Sequence, residues 1–322
     1  MPSFRQILAA AVVGLVTVTS AAPALPKISA RTLKAFDLLT KRQNPATGLP
    51  DGLGDVDILQ FALTLENLET AFYQQGFAKF PDSDFAALGL NAMQITDLKS
   101  IGGTEATHVT TLTSAVAGTG TQPVAPCTYK FGFTDAAGMV ATASILENVG
   151  VSAYLGAAPL VQSKAILGVA ASIVTVESRH QTFIRTAAKA VAIPSAFDTP
   201  LGIRNVFTLA AGFIESCPQG SNLAITPFPA LTMTTPAAAG APAPAAGSTV
   251  ALTSTATGAT SCAFSNGGLP GGTAFTPFAN GACTVPPNLA GLVYVNLASA
   301  SPADGVLTDA ITLAGPMLMQ VS

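Results

Sequence analysis

One short motif occurs twice and constrains the fold of the whole chain. Glu-x-x-His appears at Glu105–His108 and again at Glu177–His180, and these two histidines are the only ones in 322 residues. Residues three positions apart lie on one face of an α-helix, so each motif can direct a carboxylate and an imidazole to one point. Two such motifs are half of a di-metal site in a four-helix bundle, and the other half is an inward glutamate from each of two further helices.

Glutamates that fit those two positions are present in the required order. Glu66 lies in the largely apolar segment DVDILQFALTLENLETAFYQQGF, ahead of the first motif. Glu147 precedes the second motif and is the only charged residue between Asp135 and Lys164. A lone carboxylate in so apolar a helix is costly to bury unless it is paired or bound to a metal.

A tyrosine follows each of these glutamates by seven residues, Tyr73 after Glu66 and Tyr154 after Glu147. Seven residues are about two helical turns, so each tyrosine returns to the face of its glutamate. The chain therefore reads as a doubled unit, in which a helix with Glu-x6-Tyr precedes a helix with Glu-x-x-His. This internal repeat is much more specific than either Glu-x-x-His motif alone.

The segment from about residue 55 to 192 resembles the ferritin-like superfamily. It is most similar to fungal secreted ferritin-like domain proteins of the stress-response and late-sexual-development type. The similarity is carried by DVDILQFALTLENLETAFY, EATHVTTL, ENVGVSAYLGAAPL and VESRHQTFIR. The resemblance implies an all-α ferritin-like four-helix bundle with two iron ions, or alternatively manganese. The metal ligands that it implies are Glu66, Glu105, His108, Glu147, Glu177 and His180.

Roles within this set follow from the two-metal arrangement. We expect Glu105 and Glu177 to bridge the metals and each histidine to bind one of them, with Glu66 and Glu147 as terminal ligands. Tyr73 and Tyr154 are expected to orient carboxylates from outside the ligand set.

Glu69 lies three residues after Glu66, where the motif helices carry histidine. We favour an outer or solvent-facing carboxylate at this position, and the alternative is a substitute ligand. Glu66 is preferred as the ligand because its spacing to Tyr73 matches the spacing of Glu147 to Tyr154.

Apolar periodicity predicts five helices. Asp55 is the expected N-cap of the first. The pair Gly102-Gly103 indicates either a close helix approach at the metal or a kink or late helix start. The third helix has a long apolar run, but its buried glutamate favours a bundle helix over a membrane span. The predicted ranges are 55–77, 96–117, 135–158, 163–192 and 200–216.

The N-terminal segments predict a secreted protein. Residues 1–21 have a basic start, the apolar run ILAAAVVGLVTV and a small-residue cleavage site, as a signal peptide does, and the run is too short to span a bilayer. Residues 22–42 end in Lys41-Arg42, which is either a pro-segment cleavage site or an exposed charge pair. Removing residues 1–42 changes the net charge from −3 to −8, because it takes away six basic residues and one acidic residue. No basic patch for nucleic acid remains. We expect the mature protein, from residue 43, to be extracellular or in the cell wall, without a membrane span.

Composition changes after residue 217, where we place the boundary between the helical domain (43–217) and a second domain (218–322). The second domain has only two acidic residues, Asp304 and Asp309, and no Lys, Arg or His. Residues 234–248 read as a low-complexity linker. The runs with β character beyond it are TVALTST, GTAFTPF, ACTVP, GLVYVNLAS and AITLAGPMLMQV. Together with the hairpin signal Asn280-Gly281, they predict a small all-β sandwich. Its expected roles are cell-wall contact, self-association or covering the bundle, and the alternative is an inert accessory domain.

Four cysteines in a secreted chain predict two disulfides, with three pairings open. The domain division favours Cys127 with Cys217 and Cys262 with Cys283.

Three functional classes remain. The first is a di-iron oxidoreductase of ferroxidase, oxidase or peroxidase type, with oxygen or peroxide as its small-molecule substrate. The second is iron binding or storage, and the third is a structural or stress-protective protein with a vestigial metal site.

Overall fold

The computed structural model describes residues 53–221, 223–234 and 244–321. The predicted signal peptide (1–21), the pro-segment (22–42) and most of the predicted linker (234–248) lie outside these residues. The helices are α1 Asp55–Lys79, α2 Asp82–Ala87, α3 Ala92–Gly118, α4 Ala136–Ala157, α5 Lys164–Ala187 and α6 Ile203–Ala211, and a 3-10 turn, Ala158–Leu160, follows α4. The strands are β1 Thr128–Tyr129, β2 Ile214–Ser216, β3 Leu231–Met233, β4 Thr249–Ser254, β5 Ser261–Ser265, β6 Thr273–Pro277, β7 Ala282–Thr284, β8 Leu292–Ala298 and β9 Thr312–Gln320.

The four long helices α1, α3, α4 and α5 form the predicted helical bundle. Helix α1 packs mainly against α3, and α4 packs mainly against α5, while α1–α4 and α3–α5 contacts join the two pairs. We call α1 with α3 the first half-bundle, and α4 with α5 the second. Each half-bundle carries one copy of the doubled motif.

The N-cap of helix α1 lies one residue earlier than predicted. Gly54 is the N-cap, and its N–H donates to the Asp57 carboxylate over 2.9 Å. Asp55 is inside the first turn, where its carboxylate accepts from the N–H groups of Gln162 and Ser163, each at 2.8 Å. The predicted Asp55 cap is therefore wrong, because this carboxylate instead ties the start of α1 to the start of α5.

Helix α3 begins at Ala92, four residues before the predicted start, because Asn91 and Gln94 form a reciprocal cap. Gly102 and Gly103 are thus well inside the helix, and a late start is excluded. A Cβ added to Gly102 would lie 2.9 Å from Tyr73 Cβ, whereas one added to Gly103 would meet nothing within 4 Å. The close-approach interpretation is correct for Gly102, which lets α3 pack directly on α1.

Two helix ends differ from the sequence prediction. Helix α5 ends at Ala187 and not near residue 192, and Lys189 has a φ of 61°, outside the helical region. The fifth long helix, predicted for 200–216, is the shorter α6 followed by β2, which pairs with β1 in a small antiparallel sheet. The short helix α2 has no counterpart among the predicted helices.

Helix α4, extended by its 3-10 turn to Leu160, is long and apolar enough to cross a membrane by length and composition. Most of it is buried within the protein: 67% of its most apolar window is covered. Among the described residues it is the one helix with this property, and its burial is that of a bundle core helix.

The C-terminal strands form two antiparallel sheets, ordered β3-β4-β7 and β6-β5-β8-β9. Their facing side chains share one apolar core, in which Val250 and Leu252 of the first sheet meet Phe264, Val293 and Val295 of the second. Asn280 and Gly281 both have positive φ, as the predicted hairpin turn requires. Strand β5 was not among the predicted strands, since SCAFS is short and lacks apolar–polar alternation.

All seven residues of strand β8 are buried. Val293, Val295 and Leu297 enter the sandwich core, while Leu292 and Tyr294 on the opposite face join the hydrophobic core of the helical bundle. The Tyr294 hydroxyl lies 2.8 Å from Ser152 Oγ of α4. The sheet β6-β5-β8-β9 therefore has the sandwich on one face and the helices on the other.

The disulfides join Cys127 to Cys217 and Cys262 to Cys283. This is the pairing that the domain division favoured. The described residues all belong to one compact unit, so independent folding of 43–217 and 218–322 stays a prediction.

Candidate metal centre

The bundle brings the six predicted ligands together at its centre, where all of them are buried. They form two groups of four, and within each group one ligand atom from every residue lies within 4.8 Å of the others. Glu105 and Glu177 belong to both groups, as expected for carboxylates between two ions. The first group is Glu66, Glu105, His108 and Glu177, and the second is Glu105, Glu147, Glu177 and His180.

Both histidines direct Nδ1 toward the carboxylates. His108 Nδ1 lies 3.0 Å from Glu105 Oε2, 3.2 Å from Glu177 Oε1 and 3.3 Å from Glu66 Oε2. His180 Nδ1 lies 2.8 Å from Glu105 Oε1 and 3.2 Å from Glu147 Oε2. The two imidazole centroids are 6.4 Å apart, so each ring faces its own group and Glu105 lies between them.

Three buried oxygens of the centre have no hydrogen-bond partner among the described residues: Glu105 Oε1 and both oxygens of Glu177. Glu105 Oε1 and Glu177 Oε1 each approach a histidine nitrogen, but neither contact has hydrogen-bond geometry. Unpaired buried carboxylate oxygens are costly. A bound cation would remove that cost, and these oxygens belong to the two carboxylates that the groups share.

The donor set fits a transition metal. Carboxylate oxygen suits manganese and imidazole nitrogen suits iron, and this centre combines both types. Ligand atoms about 2.0–2.2 Å from an ion are at most about 4.4 Å apart. The 4.8 Å span within each group is close to that limit, so the side chains need to move little to hold an ion.

The two tyrosines bond across the half-bundles. Tyr73 donates to Oε1 of Glu147, and Tyr154 donates to Oε1 of Glu66 over 2.5 Å. Each tyrosine therefore bonds to the glutamate of the other half-bundle and not to the one seven residues before it on its own helix. The spacing correctly placed tyrosine and glutamate on one face, but each tyrosine orients the other half-bundle's glutamate.

Burial controls the protonation of most carboxylates in the centre. It raises the pKa of Glu66 to about 7, although hydrogen bonding by His108 acts in the opposite direction. Burial also raises the pKa of Glu147, and it raises that of Glu177 further because the charge of Glu105 adds to its effect. Without a cation, burial therefore shifts these side chains toward the protonated form.

Glu105 behaves differently because it lies between the histidines. Burial alone would raise its pKa, but contacts with His108 and His180 outweigh burial and lower it to about 2. Burial likewise opposes charge on the histidines, but the carboxylates around them raise the pKa of His108 to about 12 and that of His180 to about 10. A metal ion must displace these protons to bind Nδ1.

Glu69 is buried and does not face solvent, so the solvent-facing alternative is wrong. It belongs to neither ligand group but borders the centre at Gly150. A Cβ added to Gly150 would lie 2.8 Å from Glu177 Oε2 and 3.0 Å from Glu69 Oε1. Burial, with the charge of Glu177 next in effect, raises the pKa of Glu69 well above its usual value.

Thr104 contacts the centre and was not among the predicted site residues. Its Oγ1 lies 2.9 Å from Nε2 of His180, the ring nitrogen that points away from the carboxylates. Thr104 directly precedes Glu105 on α3, and His180 is on α5. The contact between helices leaves no sequence signal, because it joins residues 76 positions apart.

Two cavities border the centre, and both have largely apolar walls. One, of about 220 Å³, is lined by all four bundle helices and includes the ring of Tyr154. The other, of about 140 Å³, lies between α1, α4, α6 and β9, and Glu69 is the charged residue in its wall. Each cavity thus reaches a side chain next to the ligand groups.

Comparison with known proteins agrees with this geometry. Residues 54–190 match the family model described as "Ferritin-like domain". A relative in Schizosaccharomyces pombe (strain 972 / ATCC 24843), "Protein rds1", is 26% identical over 185 residues. The match covers 56% of this chain and 45% of that protein, so it spans less than half of the relative's length. The helical part of the chain is a ferritin-like domain, and a β-rich region follows it.

Proposed function

We propose that this ferritin-like domain binds two iron ions, with manganese as the alternative, and reacts with dioxygen or peroxide as a secreted oxidoreductase. The observation that carries the proposal is the pair of shared carboxylates, Glu105 and Glu177, at the meeting point of both groups. Three of their four buried oxygens, Glu105 Oε1 and both oxygens of Glu177, have no hydrogen-bond partner in the described part of the chain. Glu66 and His108 would complete one metal position. Glu147 and His180 would complete the other.

A pair of iron or manganese ions, when bound, supplies the electrons that reduce the oxidant. The protein's own contribution is to fix the ligands and to exclude water. Tyr73 and Tyr154 hold Glu147 and Glu66 by hydrogen bonds to one oxygen each, which leaves the second oxygen directed at a histidine. The apolar cavity beside Tyr154 is suited to a small uncharged molecule such as dioxygen, since its walls offer almost no polar group.

Protons for the reduction of an oxidant can come from the same residues. Tyr154 donates its hydroxyl proton to Glu66 Oε1, and its side chain also lines the apolar cavity. Glu69 favours its protonated form and borders the second cavity. Glu69 in the first half-bundle and Tyr154 in the second therefore each hold a proton next to the ligand groups.

Metal analysis and oxygen consumption test the proposal. Protein purified from its secretion route should contain two metal ions per chain, and the anaerobically prepared ferrous form should consume dioxygen or peroxide. Glu147→Ala and His180→Ala should each lose metal, whereas Glu215→Ala, an exposed glutamate on β2, should not. A metal-loaded protein that consumes neither oxidant would contradict the redox function and favour the structural role.

Secretion is a separate part of the proposal, and two disulfides support it because such bonds persist in oxidising compartments. N-terminal sequencing of protein recovered from culture medium should find a start at residue 22 or, after cleavage at Lys41-Arg42, at residue 43. Recovery of the full chain from inside the cell would contradict secretion. The stress or developmental role, the cell-wall location and self-association through the β region stay predictions.

A further inference from the structure

The hydrogen bond between Thr104 and His180 has a defined direction. A threonine hydroxyl has one hydrogen, and Thr104 Oγ1 has two carbonyl oxygens to donate it to, that of Ile101 at 2.7 Å and that of Ser100 at 3.4 Å. Toward His180 Nε2, at 2.9 Å, the hydroxyl oxygen can then only accept. Nε2 therefore carries the ring hydrogen in this bond, which reserves Nδ1 for the carboxylate side of the ring.

His108 lacks the equivalent bond. The residue that matches Thr104 in the second motif is Val176, because each directly precedes the motif glutamate and lies four positions before the motif histidine. A valine has no hydroxyl. His108 Nε2 makes no hydrogen bond to any residue in the described ranges, and its side chain is about one-tenth exposed.

This difference is local, because the rest of the motif is the same in both halves. Both histidines direct Nδ1 at the carboxylates, His108 at three of them and His180 at two, and each motif glutamate is buried. Bonds that fix the tautomer and orientation of a metal-binding histidine typically change metal affinity by about 10- to 100-fold. One of the two positions has such a bond and the other does not.

We propose that the two metal positions are unequal, and that Thr104, as a positioning residue for His180, makes the His180 position the tighter of the two. The inference rests on the proposed two-metal function and adds an order of filling: the His180 position fills first and the His108 position second. Protein with one metal ion per chain would therefore hold it mainly at His180.

Titration of metal-free protein with Mn²⁺ tests this order without any turnover. The wild type should show a tight and a weak step, with His180→Ala removing the tight step and His108→Ala removing the weak one. Thr104→Val should weaken metal binding in the tight step by about 10-fold or more. Thr104→Ser keeps the hydroxyl and should bind this ion as tightly as the wild type. Val176→Thr, the matched change in the other half, should strengthen the weak step.

A spectroscopic measurement separates positioning from a general structural effect. The protein, made without a histidine tag, has two imidazoles, so histidine-selective ¹⁵N labelling with diamagnetic Zn²⁺ bound gives two resolvable rings. The His180 Nε2 hydrogen should exchange slowly with water in the wild type and in Thr104→Ser, and quickly in Thr104→Val. Melting curves of each variant check that the fold is intact.

The outcomes separate this inference from the function on which it rests. Two bound ions with equal affinities, or a tight step that Thr104→Val leaves unchanged, would overturn the inequality and leave the di-metal function standing. A wild-type protein that binds no metal would overturn both. If Thr104→Val fails to fold, two measurements still test the inequality. They are the metal affinity of Val176→Thr in the weak step and the exchange rate of the His180 Nε2 hydrogen in the wild type.

Discussion

The two half-bundles carry the same motif in different surroundings. Both supply a glutamate, a tyrosine and a Glu-x-x-His pair, and the tyrosines exchange partners between them. The first half adds Glu69 where the second has Gly150, and Thr104 where the second has Val176. The comparison teaches that the repeat determines which atoms converge, whereas the residues beside the repeat determine how alike the two metal positions are.

The largest expected effect comes from the carboxylates that both halves share. Glu105→Ala removes a ligand from both groups at once, so we expect both metal-binding steps to weaken by at least about 100-fold, which is about 2.7 kcal/mol each. Glu66→Ala and Glu147→Ala should each affect mainly one step. Metal stoichiometry by mass spectrometry distinguishes these results, and equal losses in all three variants would contradict the separation into two positions.

Adding a side chain at Gly150, the position in the second half-bundle that matches Glu69, should destabilise the protein. Gly150→Ala places a methyl group 2.8 Å from Glu177 Oε2 and 3.0 Å from Glu69 Oε1. Overpacking of this kind costs about 1–3 kcal/mol, and the better helix preference of alanine offsets up to about 1 kcal/mol of that cost. The control is Gly168→Ala on α5, where a Cβ would meet nothing within 4 Å. That change should stabilise the helix by up to about 1 kcal/mol.

Urea unfolding of the metal-free protein measures both glycine variants. If Gly150→Ala were as stable as the control, Glu69 and Glu177 could move apart freely. Glu69 would then not be confined against the ligand groups.

Removing the tyrosine hydroxyls, which bond to the other half-bundle's glutamates, should have a smaller effect on stability. That effect should differ between the two tyrosines. Tyr73 is fully buried, so Tyr73→Phe leaves the Glu147 oxygen without a donor and should cost about 1–3 kcal/mol of unfolding free energy. Tyr154 is partly exposed beside an open cavity. Because its side chain is less buried than that of Tyr73, Tyr154→Phe should cost less, about 1 kcal/mol or below. Thermal melting of both variants in the metal-free form compares them, and the reverse ranking would contradict the burial difference.

The metal-free protein should also show a pH dependence of its stability. Burial raises the pKa of Glu66 from 4.5 to about 7. Between these values the folded protein keeps a proton that the unfolded chain loses, so stability should fall as pH rises through this window. Glu105, whose pKa is lowered to about 2, acts in the opposite sense only below pH 4.5.

Glu66→Gln cannot ionise and should flatten the decline between pH 4.5 and 7. Glu147→Gln should likewise flatten the decline above pH 4.5, because burial raises the pKa of Glu147. Chemical denaturation at several pH values, with a chelator present, measures the slope. An unchanged slope in Glu66→Gln would show that this carboxylate is already ionised in the folded, metal-free protein.

Local spacing accounts for what the sequence could predict of the site. The Glu-x-x-His repeat and the seven-residue tyrosine spacing each act within one helix, so both can be read from the amino-acid sequence. The exchange of tyrosines, the Thr104 contact and the Gly150 space depend on how helices from different halves are set against each other. Such contacts join residues far apart in the chain, and no periodicity encodes them.

The same limit explains the errors in the fold. Short elements such as α2 and β5 are held by tertiary contacts and have too few residues for a periodic pattern. The run LVYVNLA of β8 was recognised as a strand, but its burial on both faces was not foreseen. A strand of a free-standing sandwich would be expected to alternate apolar and polar residues, and the polar atoms of Tyr294 and Asn296 instead bond to the helical part.

The position of Tyr294 also has a consequence for how the protein is made. Its hydroxyl bonds to Ser152 and to Asn148 on α4, residues that are synthesised more than 140 positions earlier. During translation the helices therefore emerge, and can associate, while these two polar groups still lack their final partner. The packing of β8 on α4 therefore follows the synthesis of all four bundle helices. If a nascent chain stalls before β8 is made, the face of α4 that this strand covers stays exposed. Helix α4 is the one that carries Glu147.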